Sequence, residues 1–281
     1  MVPSSHEDPS VSLEQITDLF SQHVKADGSF KGSGRKIRAF FHNAPYGMAG
    51  DMDRIAEFLR GRGVLLVEDA AQAFGVRQGG RYLGAFGDFG CWSFNGNKTL
   101  AAGAGGALFV ADPAQRERAL RLRHHGRCDD FEFLYEGLGG NYVMPNTLAA
   151  LASSQFSRLD QILARKSQIR SFYEVAFSGD LPLLSNRTGR GGEPYWANVV
   201  LFPRPLDRDQ FHRIVEALGQ EGIQVRPCFP PLSRNAPFRS SPLLYPEHSL
   251  SLFNRGLMLP SGPGVTKEDV RRVKEALMRA W

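Results

Sequence analysis

Residues 64–106 read VLLVEDAAQAFGVRQGGRYLGAFGDFGCWSFNGNKTLAAGAGG. The run Val64–Val67 is short and wholly apolar, which predicts a strand buried on both faces. It ends in Glu68-Asp69, the kind of strand terminus where open α/β sheets place ligands. A second run, Cys91–Phe94, predicts another strand and ends in Asn95-Gly96-Asn97-Lys98, with Gly103-Ala104-Gly105-Gly106 just beyond. One carboxylate and one amine therefore stand at the ends of two short strands.

That pairing suits pyridoxal phosphate. The cofactor needs an amine that bonds to its aldehyde and a carboxylate that holds its ring nitrogen protonated, so that the ring accepts carbanion electrons. Lys98 and Asp69 are the candidates for these roles. Gln72 is a candidate partner for the ring hydroxyl, and Ser93 for the phosphate. Each also has an ordinary reading: a solvated lysine after a turn, a carboxylate capping the next segment, and turn hydrogen bonds for the other two.

EDAAQAFG, FGDFGCWSFNGNK and GAGG, in this order and spacing, resemble the DegT/StrS group of sugar aminotransferases, pyridoxal-phosphate enzymes of the aspartate-aminotransferase fold. SFNGNK followed by a Gly-rich run is most similar to members acting on nucleotide-linked 4-keto sugars. The resemblance runs from about Ser12 to the C-terminus. It implies an α/β, fold type I large domain with a mostly parallel sheet, incomplete at its N-terminus, over residues 1–150. A linking helix and a smaller C-terminal α/β domain would take residues 151–281.

The implied activity is transfer of an amino group from an amino acid, glutamate by expectation, to a nucleotide-linked keto sugar in surface polysaccharide or glycan synthesis. Lys98, freed by the donor, would move the proton between the donor's α-carbon and the cofactor. A free lysine titrates at about 10.4 and is a poor base, and burial beside a cationic ring would lower that value. Gly139-Gly140-Asn141-Tyr142-Val143 resembles a loop whose Asn reaches the cofactor phosphate of the neighbouring subunit. Asn141 matches, but Val143 replaces the Arg that ends the loop in relatives. Trp196 and Arg226 are expected to line the substrate pocket, with core packing and a surface ion pair as equal alternatives. Sugar dehydratases of the family replace the lysine with histidine, so Lys98 argues against that chemistry.

Relatives begin with a longer segment that carries a Gly-Ser/Thr turn gripping the phosphate and an aromatic residue stacked on the ring. Nothing before Ser12 supplies either. The expectation is a sheet lacking part of its cover, with apolar surface hidden by a partner. The chain then reads as a fragment, as an enzyme completed by another chain, or as a non-catalytic paralogue paired with a complete aminotransferase. A homodimer is the default assembly.

Composition sets bounds. The 281 residues are enough to bury a sizeable core. With 42% hydrophobic and 22% charged residues the chain reads as a soluble globular protein. No apolar run approaches a membrane span, and MVPSSHEDPS lacks the apolar core of a signal peptide, so the cytoplasm is the expected location. Cys91, Cys128 and Cys228 have neither disulfide-framework nor metal-ligand spacing. A net charge of +5 suits an anionic substrate, although a solvated surface accounts for most basic residues. No basic block interleaved with aromatics points to nucleic acid.

Along the rest of the chain, Ser12 is the expected cap of a helix burying Leu13, Ile16, Leu19, Phe20 and Val24. Residues 25–36 read as a loop, in which FKGSGRK lacks phosphate-loop spacing. Ile37–Phe41 predicts a strand. Where relatives often carry His-x-aromatic-Gly, the His position holds Ala44 and His42 is displaced by two residues, so His42 receives no role. Asp51 is the predicted cap of a helix over Met52–Arg60. Gly79-Gly80 reads as a tight turn, Ala107–Val110 as a strand and Ala114–Arg123 as a helix. Asn146 is the predicted cap of one long helix reaching Phe177, with Leu148, Leu151, Phe156, Leu159, Ile162, Leu163, Ile169, Phe172 and Tyr173 as its buried stripe. Residues 180–192 read as a loop. The C-terminal part predicts strands over Ala197–Phe202 and Ile223–Arg226, a helix over Asp209–Leu218, and a last helix capped by Thr266.

Overall fold

The computed structural model describes residues 9–129, 131–185, 196–241 and 246–281. The first half holds α1 (Leu13–His23), β1 (Ala39–Asn43), α2 (Met52–Arg60), β2 (Leu65–Asp69), the short strands β3 (Arg77–Gln78) and β4 (Arg81–Tyr82), β5 (Phe89–Ser93), β6 (Gly106–Val110) and α3 (Pro113–Arg123). The second half holds α4 (Asn146–Phe156), α5 (Leu159–Phe177), β7 (Asn198–Leu201), α6 (Arg208–Gln220), β8 (Arg226–Pro227), α7 (Pro246–Arg255), β9 (Gly256–Leu259) and α8 (Lys267–Ala280). No described helix is long and apolar enough to cross a membrane.

Capping chemistry sets the helix starts. Ser12 and Gln15 form a reciprocal capping box at α1, and Thr266 with Asp269 forms another at α8. Asp51 caps α2 by accepting from the Arg54 amide. Gly79 and Gly80, both at positive φ, make the turn between β3 and β4.

The main sheet runs β1-β2-β5-β6; β1, β2 and β5 are parallel, and β6 is antiparallel to β5. Strand alternation splits its side chains between two faces. One face carries Leu66, Glu68 and Gly90, all buried, against α1, α2 and the turn around Phe86. The other carries Phe41, Leu65, Val67, Phe89, Leu108 and Val110, by the register of the ladders. Phe41 is 65% exposed, Leu65 45% and Leu108 58%. The expected burial of Val64–Val67 on both faces is therefore wrong: every second residue of β2 faces an open side. Parallel sheets are usually covered on both sides, and this open apolar face is the partly uncovered sheet that the resemblance implies.

A second sheet, β7-β9-β8, is antiparallel and packs with α5, α6 and α8 around Tyr173, Phe177, Val200, Phe202 and Leu277. Several sequence expectations need correction here. The helix expected from Asn146 to Phe177 is two helices, broken at Ser157-Arg158, and Pro145 rather than Asn146 is the cap residue. None of α4 is buried: Leu151 is 46% exposed and Phe156 58%. The stripe is real only in α5, where Leu159, Ile169 and Tyr173 are buried. Residues 223–225 form no strand, and Ile223 and Val225 reach the core from irregular chain. β1 lies two residues later than predicted, since pairing with β2 fixes it at Ala39–Asn43. Most of the loop expected over residues 180–192 lies outside the described residues.

The open face makes a measurable contrast. Phe41→Thr and Leu108→Thr keep strand propensity on exposed positions, so each should change unfolding free energy by no more than about 0.5 kcal/mol. Leu66→Ala, on the covered face of the same sheet, should cost about 2–5 kcal/mol. Urea unfolding of the three variants is the check, and equal losses at all three would contradict an open face.

Candidate active site

Strand alternation gives Glu68 and Asp69 opposite tasks. Glu68 is buried, and its carboxylate accepts hydrogen bonds from the amides of Gly84 (2.8 Å), Phe86 (2.6 Å) and Gly87 (2.7 Å). Burial raises its pKa, and the three amides oppose that rise. The turn it holds lies so close to β5 that a Cβ on Gly90 would stand 1.8 Å from the Gly84 carbonyl oxygen. Asp69 is on the open face at the carboxyl end of β2. Its Oδ2 accepts from Asn43 Nδ2 at 3.0 Å and its Oδ1 from the Ala71 amide at 3.0 Å. Two anchors fix the carboxylate.

Ser93 shares that face, two residues beyond Cys91, which pairs with Asp69. The chain then turns: Asn95 N donates to Ser93 Oγ at 3.3 Å, Gly96 N to Asn95 Oδ1 at 2.7 Å and Lys98 N to Asn95 O at 2.9 Å. This brings the Lys98 amine to 4.7 Å from the Trp196 ring centroid. Burial lowers the Lys98 pKa, and the Asp69 charge pulls it back up. Burial raises the Cys91 pKa, and Asp69 adds to the rise. Asp69, Cys91 and Lys98 thus form one electrostatic cluster at the end of the sheet.

Gln72 is present but partly committed, because its Oε1 accepts from the Tyr46 amide at 2.6 Å. Its amide nitrogen is the end that can meet a ligand. Trp196 donates from Nε1 to Asn97 O at 2.8 Å, so its indole braces the turn that carries Lys98. Arg226 lines a cavity of about 800 Å³ together with Lys98, Trp196 and Phe229. Among the described contacts none joins Asn141 to this group. It is exposed on the arm between α3 and α4, where it bridges to His124.

Sequence reasoning missed Tyr46 and Phe229. Tyr46, Trp196 and Phe229 form a stacked aromatic set with centroid separations of 5.9–6.1 Å. The Tyr46 hydroxyl accepts from the Phe229 amide at 3.0 Å. Tyr46 holds a positive φ of 57° while almost fully buried. Its bonds to Gln72 and Phe229 hold a backbone conformation unusual for a bulky residue. Phe229 is 51% exposed and offers an aromatic surface to the cavity. The aromatic-Gly pattern covers Tyr46 without giving it a partner, and no spacing flags Phe229, since the contact joins chain segments far apart in sequence.

Comparison with known proteins gives the chain's family and fold. The DegT/DnrJ/EryC1/StrS aminotransferase family matches residues 35–278. GDP-perosamine synthase of Escherichia coli O157:H7 is 30% identical over 234 residues, covering 83% of this chain and 62% of that protein. The putative pyridoxal phosphate-dependent aminotransferase EpsN of Bacillus subtilis (strain 168) is 31% identical over 243 residues, covering 84% of this chain and 61% of EpsN. The chain thus spans about three fifths of the length of these relatives. Among solved structures, S. venezuelae DesV in complex with a ketimine intermediate superposes with a TM-score of 0.81 at 26% identity. It covers 99% of this chain and 71% of DesV.

His42 stands apart from the site. It pairs with Glu68 across β1 and β2, is 1% exposed, and its Nε2 has no hydrogen-bond partner among the described residues. Burial lowers its pKa to about 4 from the ordinary 6.5. The unfolded chain therefore takes up this proton first. The stabilisation from neutral His42 is complete above about pH 6.5 and is lost as pH falls towards about 4, roughly 3 kcal/mol in all. Glu68 acts oppositely, since protonation relieves its burial as pH falls. His42→Leu should remove the histidine part, so the pH 4–6.5 slope of its denaturant midpoint should be flatter than the parent's. An unchanged slope would contradict the assignment.

Proposed function

The chain belongs to the DegT/DnrJ/EryC1/StrS aminotransferase family, and we propose that it transfers an amino group to a nucleotide-linked keto sugar with pyridoxal phosphate. The observation that carries this reading is the placement of Asp69 and Ser93 on one face at the end of the main sheet, with Lys98 in the turn just beyond. The donor set fits the cofactor: an amine whose charge burial disfavours, and a carboxylate anchored by Asn43 and the Ala71 amide. When bound there, the cofactor would supply an electron sink for the carbanion of the amino donor.

The chain's own residues would do the rest. Lys98 would carry the covalent attachment and then, as a neutral amine, move the proton at the donor's α-carbon. Its lowered pKa favours that base form. Asp69 would hold the proton on the ring nitrogen. Ser93, on the same face, would hydrogen-bond the phosphate, and the Gln72 amide nitrogen would meet the ring hydroxyl. Phe229 offers an apolar surface for a sugar ring, and Arg226 a charge for the nucleotide. Glutamate is the proposed donor. The relatives' activities, GDP-perosamine synthesis among them, motivate the nucleotide sugar, and surface glycan synthesis is the matching context.

Asn141, exposed on the arm between α3 and α4, suits the phosphate of a second subunit. A homodimer with exchanged arms is the assembly we propose. One observation favours a second reading: the open apolar face of the main sheet suits a chain that pairs with a complete paralogue and does no chemistry itself.

One experiment separates them. The purified chain is incubated with pyridoxal phosphate, reduced with borohydride and digested. The expected result is the cofactor's mass on the peptide carrying Lys98, absent from Lys98→Arg. With glutamate and a nucleotide-linked 4-keto sugar, Lys98→Arg should lose amino transfer by at least about a hundredfold. Asp69→Asn should keep the covalent adduct but lower the rate. A folded parent chain that takes no label at Lys98 would overturn the enzymatic reading in favour of the paired subunit.

A further inference from the structure

The cavity beside Lys98 has a second lysine in its wall. Lys166 lies on α5 and is only 6% exposed. Its Nζ donates to the Ser261 carbonyl at 2.7 Å and reaches the Trp196 carbonyl at 3.5 Å. An ammonium group has three donors and a full charge. Two carbonyls occupy two donors and leave the charge uncompensated, and no described carboxylate pairs with it. Buried lysines are rare unless paired. Desolvation lowers the Lys166 pKa to about 8 with no opposing charge.

The cavity around it is positive. Lys98, Arg226 and Arg272 share its lining. Its acid, Asp269, is already engaged: its Oδ2 accepts from the Thr266 amide and hydroxyl at 2.8 and 2.7 Å, and its Oδ1 lies 4.0 Å from Arg272. Lys98, Lys166 and Arg226 remain without a described carboxylate ion pair. Several like charges around a partly enclosed, low-dielectric space attract an anion strongly. Phe229 closes the same cavity with a half-exposed ring.

We propose that Lys166 and Arg226 form an oxyanion subsite that takes the diphosphate of the nucleotide-linked sugar and so sets the depth at which the sugar meets Lys98. This rests on the reading of the preceding subsection, whose substrate it makes more specific. Lys166 is then the buried charge completed by substrate, and Arg226 the exposed charge at the cavity rim. An unpaired buried charge destabilises the empty protein, as expected of a group kept for function rather than stability.

The test needs neither cofactor nor turnover. Inorganic pyrophosphate and glutarate, a dicarboxylate without the donor's amine, are titrated calorimetrically into the cofactor-free full chain and its variants. Pyrophosphate should bind the parent and raise its melting temperature. Lys166→Met should weaken that binding at least tenfold and abolish the thermal shift, while the ligand-free variant melts no lower than the parent. Lys166→Arg should restore part of the affinity. Arg226→Met, at an exposed position, tests the same subsite should Lys166→Met fail to fold.

Equal pyrophosphate affinity in the parent and the Met variants would overturn the proposal. So would a Lys166→Met variant that melts lower but binds pyrophosphate normally, which would make Lys166 a structural tie to Ser261 and Trp196. Loss of glutarate rather than pyrophosphate binding would also overturn it, assigning the subsite to the amino donor's carboxylate. Failure of Lys98 to take cofactor leaves this measurement intact, so the two readings fail separately.

Discussion

The buried carboxylate of Glu68 is the interaction on which the site depends. It accepts three main-chain amides from Gly84, Phe86 and Gly87, and hydrogen bonds to charged groups contribute about 1.5–3 kcal/mol each. With Glu68 fixed on the covered side, the period of two leaves Asp69 no choice but the opposite face. A shift of one residue in β2 would exchange them, placing the anchored carboxylate in solvent and the candidate catalytic one beneath the sheet. Asp88 reinforces the register by accepting from the Leu66 amide at 2.8 Å. The position of Asp69 is thus set by its sequence neighbour.

This division explains how far the chain could be read from its residues. The capped helices were legible because Ser12, Asp51 and Thr266 announce themselves by local chemistry, and the structure puts each helix start where they predict. Asp69 and Lys98 were singled out because each follows a short apolar run, and the structure puts Asp69 at the end of β2 and Lys98 in the turn beyond β5. Burial was less legible. Periodicity in Val64–Val67 reports an apolar run but not whether anything covers each face, and the open side of β2 is a tertiary fact. The same limit misled the reading of α4: Leu148, Leu151 and Phe156 have core spacing, yet none is buried.

Contacts across the seam between the two sheets were least legible. Tyr46 sits in the turn after β1, Trp196 just before β7 and Phe229 just after β8. Their stacking brings together the turn that carries Lys98 and the sheet that carries Arg226. Sequence separation conceals such a set. The strained φ of Tyr46 is its clearest structural sign, since a buried aromatic holds that conformation only when its surroundings over-determine it. Gln72 supplies one tie and the Phe229 amide another. Gln72 therefore serves the seam at one end of its side chain while its other end remains available to a ligand.

Lys98 lies where these constraints meet, and the sign of each influence on it differs. Burial favours the neutral amine, whereas Asp69 favours the ammonium, and burial is the larger of the two. The Trp196 ring, 4.7 Å away, also favours the cation. A base that must alternate between neutral and charged forms works best when neither is strongly preferred. Asp69 is the charge that acts on Lys98, and Lys166, in the wall of the same cavity, is left to the anion of the proposed subsite.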